Sequence, residues 1–337
     1  MFDFTGSQGT ISVLLLDGFS TLSLGSILEP LHFFAERYPN IAPNIDLVGA
    51  RDGEAVSNSG LRIDCRLSLT SYSEQISRQK GNQILMICGP TERVPIDAES
   101  LLPVLRRARH NKVAIFGVGS VCILMAHAGM FEGEKCAVHW KSLASFTEGN
   151  LDVEGANALF VKRNRIASCA GETAVLDLIV NLIAEMSKEA SVAVANHFLM
   201  SGPRLAGAEQ PGSYTQRLRK APAPLARAVE LMARHMEDKI NTREIAHLCS
   251  VSPRQIERLF RNHLGTTPGK YYRTLRLERA LDLLSNTKMS LAEIAAASGF
   301  STTSCLSKHF KARYGETPYQ LRKQSVETKL SWQLVSA

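Results

Sequence analysis

The chain has 337 residues, too long for one ordinary domain of roughly 150, so two domains are expected. Its 45% hydrophobic and 21% charged residues exclude a disordered chain, a collagen or a coiled-coil rod, and no apolar run of about 18 residues exists to span a membrane. The net charge of +7 is uneven: residues 1–214 hold 18 Lys/Arg against 22 Asp/Glu, whereas residues 222–325 hold 17 against 9. An acidic front module thus precedes a basic back module, and only the back one suits a polyanion. MFDFTGSQGT lacks the basic and apolar regions of a signal peptide, and the seven cysteines are scattered without a CxxC. These features predict a cytoplasmic protein with reduced thiols, no metal, no cofactor and no membrane partner.

In the front module, strand-like and helix-like segments alternate. Short apolar runs at Thr10–Leu16, Ile45–Gly49, Ile84–Cys88 and Val113–Val118 read as strands. Ser20–Tyr38, residues 98–111 and residues 120–128 read as helices, with Pro103 tolerable only in a first turn. Residues 160–167 suggest a hairpin turning at Arg163–Asn164, followed by an amphipathic helix over 172–187. Such alternation predicts an α/β domain with a doubly wound, mostly parallel sheet over 10–200. Residues 201–224, rich in Gly, Pro and Ser without apolar periodicity, are expected to form a linker to an all-α domain over 225–325.

The back module contains a repeat. EIAHLCSVSPRQIERLFRNHLGTTP (244–268) matches EIAAASGFSTTSCLSKHFKARYGETP (293–318). Glu244/Glu293, Ile245/Ile294 and Ser252/Ser301 lie 49 apart, and Ile256/Leu306, Phe260/Phe310 and Gly265/Gly315 lie 50 apart, so one residue is added after Ser301. Each copy reads as helix, tight turn, helix. Asn241 and Glu244, Ser252 and Gln255, and Ser290 and Glu293 have capping-box spacing, Pro253 suits a first helical position, and Gly265 a helix end. With Ile256, Leu259 and Phe260 buried, Arg254, Glu257 and Arg258 face out; with Leu306 and Phe310 buried, Thr303, Ser304, Ser307 and Lys308 do. Helices so decorated fit DNA major grooves, and a long helix over 268–285 could carry both to successive grooves about 34 Å apart. A helical bundle with a solvated basic face is the competing reading.

On these motifs, residues 225–323 resemble the AraC/XylS-type DNA-binding domain. The resemblance implies sequence-specific transcription control on double-stranded operator DNA, with RNA polymerase as a further partner. It implies that Arg254, Glu257 and Arg258 read one groove and Thr303, Ser304, Ser307 and Lys308 the next. LLLDGFSTLSLGSILEPLHFF (14–34), AHAGMFEGEKCAVHW (126–140) and SCAGETAVLDLIVNLIA (168–184) resemble the PfpI-like, class I glutamine-amidotransferase-like domain of GlxA-type AraC regulators. Enzymes of that fold place a cysteine nucleophile on a strand-to-helix elbow, beside an acid from the first helix. In IFGVGSVC (115–122) the nucleophile position falls on Gly119, and the acid position falls on Ser23.

What the resemblance leaves is a pocket at the C-terminal ends of the parallel strands, without catalytic residues. Asp17, Phe19, Gly89, Thr91, Gly119, Ser120, His139, Trp140, Cys169 and Glu172 are its expected lining. Trp140 and Glu172 suit a cationic group, although Trp140 as core, His139 as a satisfied imidazole and Glu172 as a helix cap compete. The resemblance implies a small nitrogenous effector such as an amino acid, a betaine or carnitine, an activating role and a homodimer. The alternative is an amidase or hydrolase with a DNA-binding appendage, using Cys88, Cys122 or Cys169. Residues after about 326 carry no assignable motif.

Overall fold

The computed structural model describes residues 9–50, 53–76, 82–91, 98–131, 133–149, 152–210, 218 and 221–323. The chain divides into two compact units, Met1–Gln210 and Pro211–Ala337. Strands β1 (Thr10–Leu15), β2 (Asn44–Gly49), β5 (Leu67–Ser68), β6 (Gln83–Cys88), β7 (Ala114–Val118), β10 (Phe160–Arg163) and β11 (Ile166–Cys169) form the main sheet of the first unit, in the order β10-β11-β7-β6-β1-β2-β5. Every pairing is parallel except β10 with β11, the expected hairpin. Asn164 turns that hairpin with a φ of 52°. Short β3 (Glu54–Val56) pairs with β4 (Arg62–Asp64), and β8 (Lys135–Ala137) with β9 (Glu154–Ala156).

The central strands read as unbroken apolar runs because both their faces are covered. Ile11, Val13, Leu15, Ile84, Met86, Ala114 and Phe116 pack on one side with α1 (Thr21–Arg37), α6 (Ala174–Met186) and α7 (Lys188–His197). Leu14, Leu85, Ile87 and Ile115 pack on the other with α2 (Leu69–Gln75), α3 (Ala98–His110), α4 (Val121–His127) and α5 (Leu143–Gly149). The sheet is therefore doubly wound. Ser20 caps α1 by accepting from the Ser23 amide at 3.2 Å. Pro103 lies inside α3, past its first turn. Residues 172–173 precede α6 rather than opening it, and α7 has no counterpart among the expected elements.

The expected linker over 201–224 begins later than composition implies. Arg204 is clamped to the buried Asp177 of α6 by its backbone amide at 2.7 Å and its Nε and Nη2 at 2.9 and 2.5 Å. Glu209 bridges Ala158, and the buried Gln210 side chain donates to the carbonyls of Val138 and Ala158 at 2.7 and 2.9 Å. Residues 201–210 therefore belong to the first unit, since these bonds satisfy backbone that a free linker would leave to water. Leu218 already packs in the second unit's core with Leu225 and Val229.

The second unit is helical: α8 (Ala223–Arg234), α9 (Thr242–Leu248), α10 (Pro253–Leu264), α11 (Pro268–Asn286), α12 (Leu291–Ala297) and α13 (Thr303–Tyr314), with a final helical stretch over 318–323. All three capping boxes form, and Gly265 and Gly315 end α10 and α13 in left-handed conformations. The pairing of Ser252 with Ser301 needs correction. The cap of α13 is Thr302, whose hydroxyl accepts from the Cys305 amide at 3.1 Å, so the added residue is Ser301 itself, within the turn. The stretch after about 326 lies outside the described residues.

Candidate functional site

The β7-to-α4 elbow forms where the motif places it, with Gly119 left-handed at φ +72°. A Cβ there would stand 2.6 Å from the Pro90 carbonyl oxygen and 3.3 Å from Thr91 Cα. The elbow amides are already used. Gly119 N–H donates to the Cys169 carbonyl at 2.9 Å, and Ser120 donates both its N–H and its hydroxyl to the Pro90 carbonyl at 2.8 Å. In this arrangement neither amide points its proton at a substrate oxyanion, the job such donors do at a working elbow. The nearby thiols are core groups. Cys88, Cys122 and Cys169 are fully buried. Burial, with Glu172 nearby, pushes the Cys88 thiol up to about 12. Burial also raises Cys122 and Cys169 well above the ordinary thiol value.

Facing the elbow is a fixed carboxylate. Glu172 follows Gly171, and both have positive φ, 52° and 98°. A Cβ on Gly171 would lie 3.5 Å from Gly119 Cα, so the two turns touch. Ser20 donates to Glu172 Oε2 at 2.9 Å, Thr91 donates to Oε1 at 2.5 Å, and the Glu172 amide donates to the Ser23 hydroxyl at 2.8 Å. Hydroxyls from the N-cap of α1 and the segment after β6 thus hold the carboxylate, and a third, from the first turn of α1, holds the left-handed backbone beneath it. Such conformations are costly for residues other than glycine and gather at functional sites. Ser23, the position to which the resemblance assigns an enzyme's acid, supports the backbone of Glu172.

Of the ten expected lining residues, Thr91, Gly119, Ser120 and Glu172 come together. Gly89 is buried just after β6, next to Pro90. Asp17 lies at the end of β1, its Oδ1 accepting from the Val56 amide at 3.0 Å. Phe19 and Cys169 are corrections: their side chains are fully buried in the core beneath α1 and α6, and because Gly119 and Ser120 are buried at the elbow too, Thr91 and Glu172 carry the exposed surface of the site. Trp140 opens a short 3-10 turn, its amide donating to Gln210 Oε1 at 2.9 Å. The cation over its ring is the protein's own Lys141, with Nζ 5.8 Å from the centroid, and the His139 ring lies 5.7 Å away. The carboxylate of Glu172 is committed to Ser20 and Thr91, so the helix-cap role does not describe it. Ser20 and Gln210 are missed by sequence reasoning. A serine before a helix signals only a cap, and a glutamine in a Gly/Pro-rich stretch signals nothing.

In the second unit, Arg254, Glu257 and Arg258 project from α10 into solvent while Ile256 and Phe260 are buried. Thr303, Ser304 and Lys308 are exposed on α13, and Ser307 is half-buried. Helix α11, of 19 residues and so about 28 Å long, organises both motifs. Towards the first, the Tyr272 hydroxyl donates to the His235 carbonyl and Arg279 meets Glu237 at 3.3 Å. Towards the second, Arg276 Nε donates to the Ser298 carbonyl at 2.7 Å and Arg313 meets Glu278 at 2.9 Å. The Arg276 guanidinium also stacks 4.4 Å from the Phe300 ring centroid, and burial lowers its pKa. Gly299 turns the second motif at φ +67°, where a Cβ would run into the Met236 carbonyl oxygen. Arg313 lies on recognition helix α13 itself, and the Phe260 ring of α10 meets the Tyr271 ring of α11 with centroids 5.5 Å apart, so both recognition helices pack on α11. Among the described residues no helix is long and apolar enough to cross a membrane, and no group of three or more His, Cys, Asp or Glu could hold a metal ion.

A doubly wound, amidotransferase-like unit joined to paired helix-turn-helix motifs defines a DNA-binding transcriptional regulator. The helix-turn-helix domain family matches residues 245–324. The transcriptional regulator CdhR of Pseudomonas aeruginosa is 30% identical over 311 residues, covering 92% of this chain and 90% of that protein. The regulator GlxA of Rhizobium meliloti is 30% identical over 322 residues, covering 94% and 96%. A crystal structure of an AraC family regulator from Pseudomonas putida covers 56% of this chain and 98% of its own, with a TM-score of 0.50 at 18% identity, a likeness of fold. The chain belongs to the GlxA-type branch of the AraC/XylS family of transcriptional regulators.

Proposed function

We propose that the first unit is a non-catalytic sensor for a small nitrogenous metabolite, and that its occupancy sets how the second unit engages operator DNA. The observation that carries this reading is the carboxylate of Glu172, held by Ser20 and Thr91 against an elbow with no room for a nucleophile. A fixed carboxylate beside closed catalytic machinery favours holding a cationic group over turning one over. Thr91, Gly119, Ser120 and Glu172 form the centre of the site, with Asp17 and Gly89 at its edge and His139 and Trp140 on the neighbouring segment. Arg254, Glu257 and Arg258 read one major groove and Thr303, Ser304, Ser307 and Lys308 the next. The regulator acts as a homodimer, recruits RNA polymerase as an activator and works in the cytoplasm, by likeness to its family. The hydrolase alternative is disfavoured because its candidate thiols are fully buried and burial raises each above the ordinary thiol value.

The test is a thermal-shift screen of amino acids and quaternary amines against wild type and Glu172→Gln. A cationic metabolite should raise the wild-type Tm, lose that effect in Glu172→Gln, and change operator affinity, DNA bending or transcription. A compound that is consumed, or binding untouched by Glu172→Gln, contradicts the reading.

A further inference from the structure

The acidic first unit carries one concentrated exception. Arg106, Arg107, Arg109 and Lys112 crowd the end of α3 and the turn after it, and Arg165 joins them from the β10–β11 hairpin turn. All five are exposed. Three are tied to backbone carbonyls instead of acids: Arg107 to Ser73 at 2.9 Å, Arg109 to Gly129 at 3.4 Å, and Arg165 to Lys112 at 2.7 Å. None of the five forms an ion pair among the described residues; the adjoining Glu134 is taken by Arg163 at 2.5 Å. The C-terminal dipole of α3 accounts for cations in its last turn. It does not account for Arg165, which comes from another element, or for Lys112, which has a φ of 58° just past the helix. Glycine fills that left-handed position without steric cost, and here a lysine occupies it.

We propose that this patch is a second DNA contact, gripping phosphates that flank the operator. It rests on the reading of the helical unit as an operator reader. DNA is the favoured occupant because the chain already holds that polyanion. Five exposed cations complement a phosphate backbone, and the helix-turn-helix domain of the same chain is what brings duplex DNA to this protein. Guanidinium groups held in place by carbonyls, with no carboxylate partner among the described residues, suit phosphate oxygens.

The experiment uses full-length protein and a duplex selected from a random library, prepared as a core of about 22 bp and with flanks to about 60 bp. Wild type is compared with the quadruple variant Arg106→Gln, Arg109→Gln, Lys112→Gly and Arg165→Gln. Each phosphate contact adds about 0.9 to the log–log salt slope. On the long duplex the variant should have a slope shallower by about 3.6 if all four contacts are lost, roughly 150-fold less loss of affinity between 50 and 200 mM salt. On the core duplex the two proteins should match, and an Arg106→Lys, Arg109→Lys, Arg165→Lys protein should keep the steep slope. Equal slopes on the long duplex overturn the proposal. So does loss of transcription with unchanged slopes, which would give the patch to an acidic protein surface, or equal weakening on both duplexes. Wild type that fails to select any duplex sinks the operator reading itself, a different failure.

Discussion

Restoring a cysteine at Gly119 should damage the first unit without creating an enzyme. The position has φ +72°, which costs an L-residue about 1–2 kcal/mol. Its Cβ would meet the Pro90 carbonyl oxygen at 2.6 Å. That carbonyl cannot retreat freely, because it accepts from both the amide and the hydroxyl of Ser120. Overpacking of this kind adds about 1–3 kcal/mol. Gly119→Cys should therefore lose about 2–5 kcal/mol in the urea transition of the first unit, and Gly119→Ala nearly as much, since both carry the same Cβ. Thiol trapping of the native variant should label the half-exposed Cys65 and Cys305 first, ahead of the buried cysteines. A Gly119→Cys protein of wild-type stability, with a new thiol that outpaces all others, would refute the claim that the elbow is closed.

Other consequences are local. Gly299→Ala should lower the stability of the second unit by about 2–5 kcal/mol, read by urea unfolding, because a left-handed turn and the Met236 carbonyl both oppose the added carbon. Arg258→Ala should relax preference at one base position by about 1–3 kcal/mol in competition binding, whereas a uniform loss across sequences would make Arg258 a phosphate contact. Arg204→Ala leaves the buried Asp177 without its cation and should cost about 3 kcal/mol in the first unit's transition. The Ser290 amide and hydroxyl hold the Glu293 carboxyl below its ordinary value of 4.5. A folded value below the unfolded one gives stability that is complete above the unfolded value and is lost as pH falls through the folded one. The unfolding midpoint of the second unit should therefore drop less in Glu293→Gln than in wild type between pH 6 and pH 3.

The sequence was most legible where one physical rule dominates. The runs at 84–88 and 113–118 are apolar throughout because parallel strands are covered on both faces, and they appear as β6 and β7. The helix-turn-helix units were legible because caps are short-range chemistry: Asn241 with Glu244, and Ser252 with Gln255, sit three residues apart whatever surrounds them. The three-residue strands β3, β4, β8 and β9 are too short to show any period. Residues 201–210 look like a linker by composition, yet long-range bonds from Asp177, Val138 and Ala158 hold them down. The candidate site was half legible for the same reason. Glu172 stands out as an acid in a largely apolar stretch, but the hydroxyls that orient it come from residues 81 and 152 positions away. Phe19 follows the strand end, where ligands bind, and only the packing of α1 shows that its ring faces inward.

Selection of bound duplexes from a random library, by the full-length protein at near-physiological salt, bears most directly on the paired reader. The ties from α11 to both motifs predict a motif of two short blocks about one helical turn apart, about 10 base pairs centre to centre. Arg258→Ala should degrade one block, and Lys308→Ala the other. Recovery of no motif, with binding that only fades as salt rises, would contradict sequence-specific regulation by this chain.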